Sequence, residues 1–184
     1  MELEAILELK QLRYIAEDET RIGRKTETKR VITSRGVKPK MKVQWPREAF
    51  WLYGVVEPLT GWQWTQEYRQ LNQTNFQAFL NELSLQLGST VAVMQMDRAP
   101  AHRAQAIEWP ENIIPIFQPP HSPELNPIER LWQFLKRLWK GENFASLDAL
   151  RQRVNHELQQ LTTEQVQSLT SFNFILDPLL QAAF

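Results

Sequence analysis

The segment Gln118–Trp132 reads QPPHSPELNPIERLW and passes from a proline-rich loop into a helix. Asn126 is a candidate N-cap, and Pro127 suits the first helical position because an N–H group there has no partner within the helix. The predicted helix presents one apolar face and is closed by Gly141. That face consists of Ile128, Leu131, Trp132, Leu135, Leu138 and Trp139.

Upstream of this segment, strand and helix patterns alternate. Thr90–Met96 is almost entirely apolar, which is typical of a strand covered on both faces. Ile113–Phe117 is a second apolar strand, placed at a sheet edge because it contains Pro115. Pro100–Trp109 is a short helix candidate between the two strands, and this order predicts a parallel pair with a right-handed crossover.

The first third of the chain has strand patterns without a helix between them. They predict an antiparallel meander of three strands, Leu12–Ala16, Ala49–Val56 and Trp62–Tyr68. Helices are predicted at residues 2–10, at Asn75–Leu87 before Gly88, after the cap Ser146, and at Glu164–Leu169. The sequence therefore predicts an α/β fold with a mixed sheet, a meander plus parallel strands, and helices on both faces.

Composition excludes several classes of protein. The 184 residues are 42% hydrophobic and carry 21 basic and 21 acidic side chains, as in an ordinary globular domain. There is no cysteine, so disulfides, thiolate nucleophiles and Cys-based zinc sites are excluded. The start MELEAILELK lacks the layout of a signal peptide, and no apolar run is long enough to span a bilayer. We expect a soluble cytoplasmic protein without a membrane partner.

The balanced charge conceals a segregation along the chain. Residues 1–20 hold six acidic and two basic side chains, whereas residues 21–47 hold ten basic side chains and only Glu27 as an acid. The glycines and prolines of residues 21–47 favour a long loop or an irregular hairpin. Such a stretch is either a solvated loop or an attraction site for a polyanion, and Trp45 within it is a candidate for base stacking.

Three acidic residues lie at positions that the predicted fold would bring close to one another. Asp18 follows the first strand, Asp97 follows Thr90–Met96, and Glu129 lies in the first turn of the helix after the proline-rich loop. Ligands of α/β sheets collect at the carboxyl ends of strands, and three converging carboxylates suit Mg²⁺ or Mn²⁺. Position alone does not separate Asp18 from its acidic neighbours, and Glu129 also has the spacing of a capping box from Asn126.

The run Ser122-Pro123-Glu124-Leu125-Asn126-Pro127-Ile128-Glu129, followed by an aromatic residue, resembles the signature of DDE transposases of the mariner superfamily, in its bacterial insertion-sequence branch. Met96-Asp97 followed by Ala99-Pro100-Ala101-His102 is similar to the second-aspartate motif of that family, and Asp18-Glu19-Thr20 to the first. The resemblance covers most of the chain from Leu12 onward.

This resemblance implies an RNase H-like fold in which Asp18, Asp97 and Glu129 are the catalytic residues and bind the metal, two ions of Mg²⁺ or Mn²⁺. It selects Glu129 over the nearby Glu124. The implied activity is cleavage of transposon ends and transfer of the 3′-hydroxyl into target DNA. One departure is Arg98, which stands where the family usually has Asn; another is His121, which stands where it usually has Tyr.

The resemblance also bears on domains and partners. Family members begin with helix-turn-helix modules, so residues 1–11 are expected to be a linker remnant helix and residues 12–184 the catalytic domain alone. A separate helix-turn-helix module or the product of an upstream frame would recognise the ends, a homodimer is allowed, and the protein would act at the nucleoid. The candidate DNA-binding residues are Arg24, Lys25, Lys29, Arg30, His102, Lys136 and Arg137, with Lys140 beside the last two.

Two other functions stay open from the sequence alone. The chain could be an inactive truncated transposase that binds DNA or a partner protein, a reading motivated by Arg98 and the missing end-recognition modules. It could also be a general RNase H-like nuclease, which would cleave DNA without an end sequence and without strand transfer.

Overall fold

The computed structural model of the chain describes residues 12–99, 107–120 and 122–173. Several expectations lie outside these residues. They are the linker helix at residues 1–11, most of the helix expected at Pro100–Trp109, and the candidate residue His102.

The described residues form a five-stranded mixed sheet. Its strands are β1 (Leu12–Gly23), β2 (Ala49–Glu57), β3 (Trp62–Tyr68), β4 (Val91–Met96) and β5 (Ile113–Phe117). They lie in the order β3-β2-β1-β4-β5, with β1, β2 and β3 antiparallel and with β4 parallel to both β1 and β5. The predicted combination of a meander with parallel strands is confirmed, and so is the edge position of the strand that contains Pro115.

Four α-helices are described. They are α1 (Gln73–Leu87), α2 (Ile128–Leu138), α3 (Leu147–Gln160) and α4 (Thr163–Thr170), and a 3₁₀ turn spans Pro123–Leu125 before α2. Ser146 caps one of them as predicted, but the helix predicted to begin after the cap Asn126 has Pro127 at its N-cap and no side-chain capping hydrogen bond. Asn72 and Ser146 cap α1 and α3 by accepting side-chain hydrogen bonds of 2.9 and 3.0 Å from backbone N–H groups. No helix in the described ranges has the length and apolarity needed to cross a bilayer.

The helices cover both faces of the sheet, as predicted. On one face α1 packs its apolar side on alternate residues of the sheet, including Ile15, Tyr53 and Met94. On the other face α2, α3 and α4 pack on the remaining residues, including Ala16, Ile22 and Phe50. Alternation along β1 therefore assigns every side chain of that strand to either the α1 face or the α2 face.

Strand β1 differs from the prediction in its length. The strand expected at Leu12–Ala16 continues to Gly23, so the expectation that Asp18 stands at the end of the strand is wrong. Leu12–Ala16 pairs with β4, and Ala16–Gly23 continues along β2. The polar sequence after Ala16 stays extended because pairing with the apolar strand β2 outweighs its weak strand propensity.

The basic stretch folds back on itself, as the prediction of an irregular hairpin requires. Two backbone hydrogen bonds cross its base, from Arg24 N–H to Glu48 O at 3.0 Å and from Thr26 N–H to Gln44 O at 3.1 Å. Residues 24–48, the basic hairpin, therefore extend the β1–β2 pair beyond the sheet.

Candidate active site

Side-chain alternation along β1 separates Asp18 from the acids beside it. Ala16 packs on the α2 face, so Asp18 points to that face, while Glu17 and Glu19 point to the α1 face. The Nε1–H of Trp132 in α2 donates to Asp18 Oδ2 at 3.0 Å, which confirms this direction. Asp18 is thus the acid of its cluster that faces the helix carrying Glu129.

Asp97 comes to the same place through the parallel pairing of β1 and β4. The last residues of β1 and β4 that pair with each other are Ala16 and Gln95. Asp18 and Asp97 each lie two residues beyond this pair, so the parallel register brings them side by side. Asp97 directly follows β4, and its Oδ1 accepts a 2.7 Å hydrogen bond from Ala99 N–H. The carboxyl ends of parallel strands are where α/β sheets bind ligands.

Glu129 reaches the site because the loop before α2 is fastened to the sheet. Asn126 is 2% exposed, and its Nδ2 donates to Glu17 O at 2.7 Å. Gln95 Nε2 donates to Leu125 O at 2.8 Å, a second tether from β4. These bonds place the first turn of α2 over the end of β1. Among the described residues, Glu129 makes no side-chain bond to Asn126, so no capping box forms here.

The three acids line one open cleft of about 400 Å³. Its floor is the end of the parallel strands, and its wall is the proline-rich loop with the start of α2. The described lining residues are Asp18, Asp97, Arg98, Ala99, Gln118, Pro119, Pro120, Ser122, Pro123, Asn126 and Glu129.

The carboxylates of the cleft raise one another's pKa by electrostatic repulsion. Burial raises the pKa of Asp18 well above its ordinary value, and the nearby charges of Glu129, Glu19 and Asp97 raise it further. Burial also raises the pKa of Glu129; Lys136 opposes this shift and Asp97 adds to it. The mutual repulsion shows that the three carboxylates are close enough to interact, and it is what a bound cation would relieve.

The donors fit a hard divalent cation in type and charge, because all three are carboxylates. Within the described residues, however, no three acidic or imidazole side chains lie close enough together to hold an ion as they stand. The site therefore has the ligand chemistry for a metal, and ion binding would require its carboxylates to draw closer.

This geometry agrees with a family match. Residues 13–151 match the family described as DDE superfamily endonuclease, and this range contains Asp18, Asp97 and Glu129. The chain belongs to the DDE superfamily endonucleases. The enzyme class predicted from the sequence is confirmed.

Solved structures share the fold of this DDE endonuclease domain. The crystal structure of the Mos1 strand transfer complex matches with a TM-score of 0.67 and 18% identity, over 86% of this chain and 50% of that chain. The crystal structure of the mariner Mos1 paired end complex with Mg matches with a TM-score of 0.67 and 17% identity, over 86% and 51%. The predicted RNase H-like fold is confirmed.

A relative with higher identity covers less of the chain. The protein y4pE/y4sA of Sinorhizobium fredii is 46% identical over 48 residues, which are 26% of this chain and 36% of that protein. The matched parts are thus about half of each Mos1 chain and about a third of the Sinorhizobium fredii protein.

Around the site of this DDE domain, the two basic patches of the sequence become neighbours. Lys25 and Lys136 line one depression, and Lys25, Trp45 and Lys140 line the next. Lys29 lies against Gly141 just after α2, since a Cβ built there would be 3.1 Å from its Cδ and Cε. Arg30 and Arg137 are exposed. We call Lys25, Lys29, Lys136 and Lys140 the basic surface.

Arg24 differs from the other basic candidates because its guanidinium is used inside the molecule. Nη2 donates to the carbonyls of Phe144 and Ala145, each at 2.9 Å, and Nη1 pairs with Glu48. Asn143 Nδ2 also donates to Lys42 O at 2.8 Å. Arg24 therefore anchors the basic hairpin to the loop after α2, and its expected contact with DNA stays a prediction.

Sequence reasoning missed two side chains that hold the site together. The helical pattern predicts Trp132 only as part of an apolar face, although its N–H contacts Asp18. The strand pattern predicts Gln95 only as part of a covered strand. Its Nε2 donates to Leu125 O and Gln118 Oε1, and its Oε1 accepts from Tyr14 Oη–H at 2.6 Å. A polar residue in an otherwise apolar strand is the available signal for Gln95, because an amide that is withdrawn from water needs hydrogen-bond partners, and Gln95 is half-buried.

We predict that Asp18→Asn stabilises the metal-free domain at pH 7. The pKa of Asp18 is higher in the folded state than in the unfolded state. At pH values between these two pKa values, the folded state binds more protons than the unfolded state. The free energy of unfolding therefore falls as pH rises through this window. Asn keeps an oxygen for Trp132 and removes the charge. A gain of ~1 kcal/mol would raise Tm by roughly 2–4 °C for a domain of this size.

Differential scanning calorimetry without metal checks this effect. The exposed Glu124→Gln is the control and should leave Tm unchanged. The stabilisation by Asp18→Asn should shrink at pH 4, where wild-type Asp18 is protonated. An Asp18→Asn protein that is less stable than wild type at pH 7 would contradict the repulsion described for the cleft.

Proposed function

We propose that this chain is the catalytic domain of a DNA transposase that cuts transposon ends and joins the resulting 3′-hydroxyls to target DNA. The observation that carries the proposal is the meeting of Asp18, Asp97 and Glu129 in one open cleft. Support comes from the DDE endonuclease family match and from the fold shared with Mos1, whose structures are a strand transfer complex and a paired end complex.

The metal in this proposal is Mg²⁺ or Mn²⁺, with two ions held by Asp18, Asp97 and Glu129. When bound, such divalent ions would lower the pKa of an attacking hydroxyl or water and stabilise the leaving oxygen of an in-line phosphoryl displacement. The carboxylates provide the negative charge that retains the ions. The tethers from Asn126 and Gln95 keep Glu129 beside the two aspartates while DNA enters and leaves the cleft.

The basic surface gives the DNA backbone a path away from the cleft. Lys136 follows Glu129 by seven residues in α2, and Lys140 follows Lys136 by four, just beyond the helix. At this spacing the two lysines follow the carboxylate along one side of the helix. The positive charge of Lys136 lowers the pKa of Glu129, which supports a path of the DNA from the basic surface to the acids. Arg30, Arg137 and His102 remain further candidates for contacts with DNA, and exposed Trp45 a candidate for base stacking.

End recognition belongs to the larger assembly in this proposal. A helix-turn-helix module separate from this domain would select the transposon ends. The matched region is about half of each Mos1 chain. A homodimer is the simplest assembly that would bring two transposon ends together, as in the paired end complex of Mos1. The site of action would be the nucleoid in the bacterial cytoplasm.

Incubation of the chain with DNA that carries the inverted repeats flanking its gene, together with a target plasmid and Mg²⁺, tests the proposal. Transposase activity predicts nicks at the repeat ends and covalent joining of their 3′ ends to the plasmid. Cleavage that ignores the repeats and yields no joined product would favour a general nuclease.

A third outcome corresponds to an inactive DNA-binding remnant. Arg98 lines the cleft, where its cation could occupy the space of a metal or hold a phosphate. A folded protein that binds DNA, neither cleaves nor joins it, and gives no saturable heat with Mn²⁺ would favour this reading and contradict the proposed catalysis.

We predict that the double variant Lys25→Gln/Lys136→Gln reduces the salt dependence of DNA binding. Each lysine that neutralises a phosphate contributes about 0.9 to the slope of log K against log salt, so the slope should become shallower by about 2. Fluorescence anisotropy with a labelled duplex over a series of salt concentrations measures this slope.

The charge-preserving pair Lys25→Arg/Lys136→Arg is the matched control and should keep the slope of the wild type. An unchanged slope in the Gln double variant would show that DNA does not follow the basic surface. Loss of the slope in the Arg pair would point to disruption of the fold instead of loss of charge.

A further inference from the structure

Trp132 occupies the space between the α2 helix and the carboxylate of Asp18. It lies three residues after Glu129, on the buried face of the same helical turn, and is 2% exposed. Its Nε1–H donates to Asp18 Oδ2 at 3.0 Å, within the ordinary range for such a bond. One helical turn thus contacts the site twice, through a carboxylate at its start and an indole N–H at its end.

The sheet provides a space shaped for this ring. Gly54 in β2 is the register partner of Asp18, and a Cβ built at Gly54 would lie 2.6 and 2.9 Å from Cη2 and Cζ2 of Trp132. Any larger residue at this position would push the ring away. The absence of a side chain on β2 therefore lets the indole reach across to the neighbouring strand and meet Asp18.

We propose that Trp132 is a positioning residue that fixes the carboxylate of Asp18 relative to Glu129 through its indole N–H. The inference rests on the proposed function, in which both acids bind metal. Residues three apart on a helix are separated by ~4.5 Å along its axis, so the hydrogen bond links the two acids through rigid backbone. A purely structural tryptophan would need only some acceptor for its N–H, whereas this one uses a carboxylate that lines the cleft.

Titration calorimetry with Mn²⁺ on Trp132→Phe tests the role. The variant keeps an aromatic ring and removes the donor. Loss of a hydrogen bond to a metal ligand typically weakens metal affinity by ~10–100-fold, and we expect a weakening in that range. Trp139→Phe is the matched control: Trp139 packs in the same apolar cluster, is 8% exposed, and is not among the residues that line the cleft. Its affinity should stay within about two-fold of the wild type.

Indole ¹⁵N–¹H spectra give a readout that requires neither activity nor a folded Trp132→Phe protein. In the metal-free domain, Asp18→Asn should shift the Trp132 indole resonance, while Glu124→Gln should not. Addition of Mg²⁺ to the wild type should shift the same resonance with the half-saturation that calorimetry gives.

The outcomes separate the inference from the proposed function. Two results would overturn the role of Trp132 without contradicting the metal site. One is that Trp132→Phe binds Mn²⁺ with an affinity within two-fold of the wild type. The other is that Asp18→Asn leaves the indole resonance of Trp132 unshifted. A wild-type protein that binds no Mn²⁺ would overturn the proposed metal chemistry, and the role of Trp132 with it.

Discussion

Asp97→Asn is expected to lower metal-dependent DNA cleavage and joining by at least ~10³-fold, since loss of a residue that acts within a catalytic unit removes most of the rate enhancement. Asp97 directly follows β4, lines the cleft and interacts electrostatically with Asp18 and Glu129. Asn has nearly the same shape but lacks the charge that holds a cation. Single-turnover cleavage of DNA with the flanking repeats, at saturating Mg²⁺, measures the loss.

Glu124→Gln is the control for Asp97→Asn, because it makes the same kind of change in an exposed acid that does not line the cleft. It should cleave as the wild type does. Equal rates for Asp97→Asn and the wild type would remove Asp97 from the active site, whereas equal losses in both variants would assign the effect to the overall charge of the region.

Gly54→Ala is expected to destabilise the domain by ~1–3 kcal/mol, the usual cost of adding a methyl group to a tightly packed interior. The new Cβ would overlap Trp132, with contacts of 2.6 and 2.9 Å, and would lie 3.1 Å from Cγ2 of Thr65. Since Trp132 contacts Asp18, the variant should also bind Mn²⁺ more weakly. Chemical denaturation and titration calorimetry measure the two effects on one preparation.

Two comparisons make the Gly54 result specific. Gly23→Ala, also in a strand, would place its Cβ 3.3 Å from the flexible tip of Arg21 and should change stability by less than about 0.5 kcal/mol. In a Trp132→Phe background, the penalty of Gly54→Ala should largely disappear, because Phe lacks the two overlapping atoms. A penalty that persists there would contradict the proposed ring contact.

The sequence predicted most of the fold because its elements carry local signals. Apolar periodicity predicted the helices, the cap Ser146 predicted one of their starts, and Pro115 predicted the edge strand. The predicted cap Asn126 was wrong by one residue, because α2 has Pro127 at its N-cap. The length of β1 was not predictable in this way. Glu17 to Arg21 is a polar run with weak strand propensity, and it is held extended by pairing with residues of β2 that lie 30 to 38 positions further on.

The site was predictable in composition and not in geometry. Resemblance to a family selected Asp18, and only the alternation of a strand longer than expected shows why Glu17 and Glu19 point elsewhere. The sequence shows the two basic patches separately, because the contacts of Arg24 and Asn143 that join them span more than 100 residues. The Trp132–Asp18 bond depends on the empty space at Gly54, which no local pattern reveals.

A crystal structure of the domain soaked with Mn²⁺, with the ions located by anomalous scattering, tests the central claim most directly. The account predicts anomalous peaks in the cleft in direct contact with Asp18 and Asp97, with Glu129 completing the ligand set. Well-occupied peaks elsewhere on the protein, with the three carboxylates left without an ion, would contradict it.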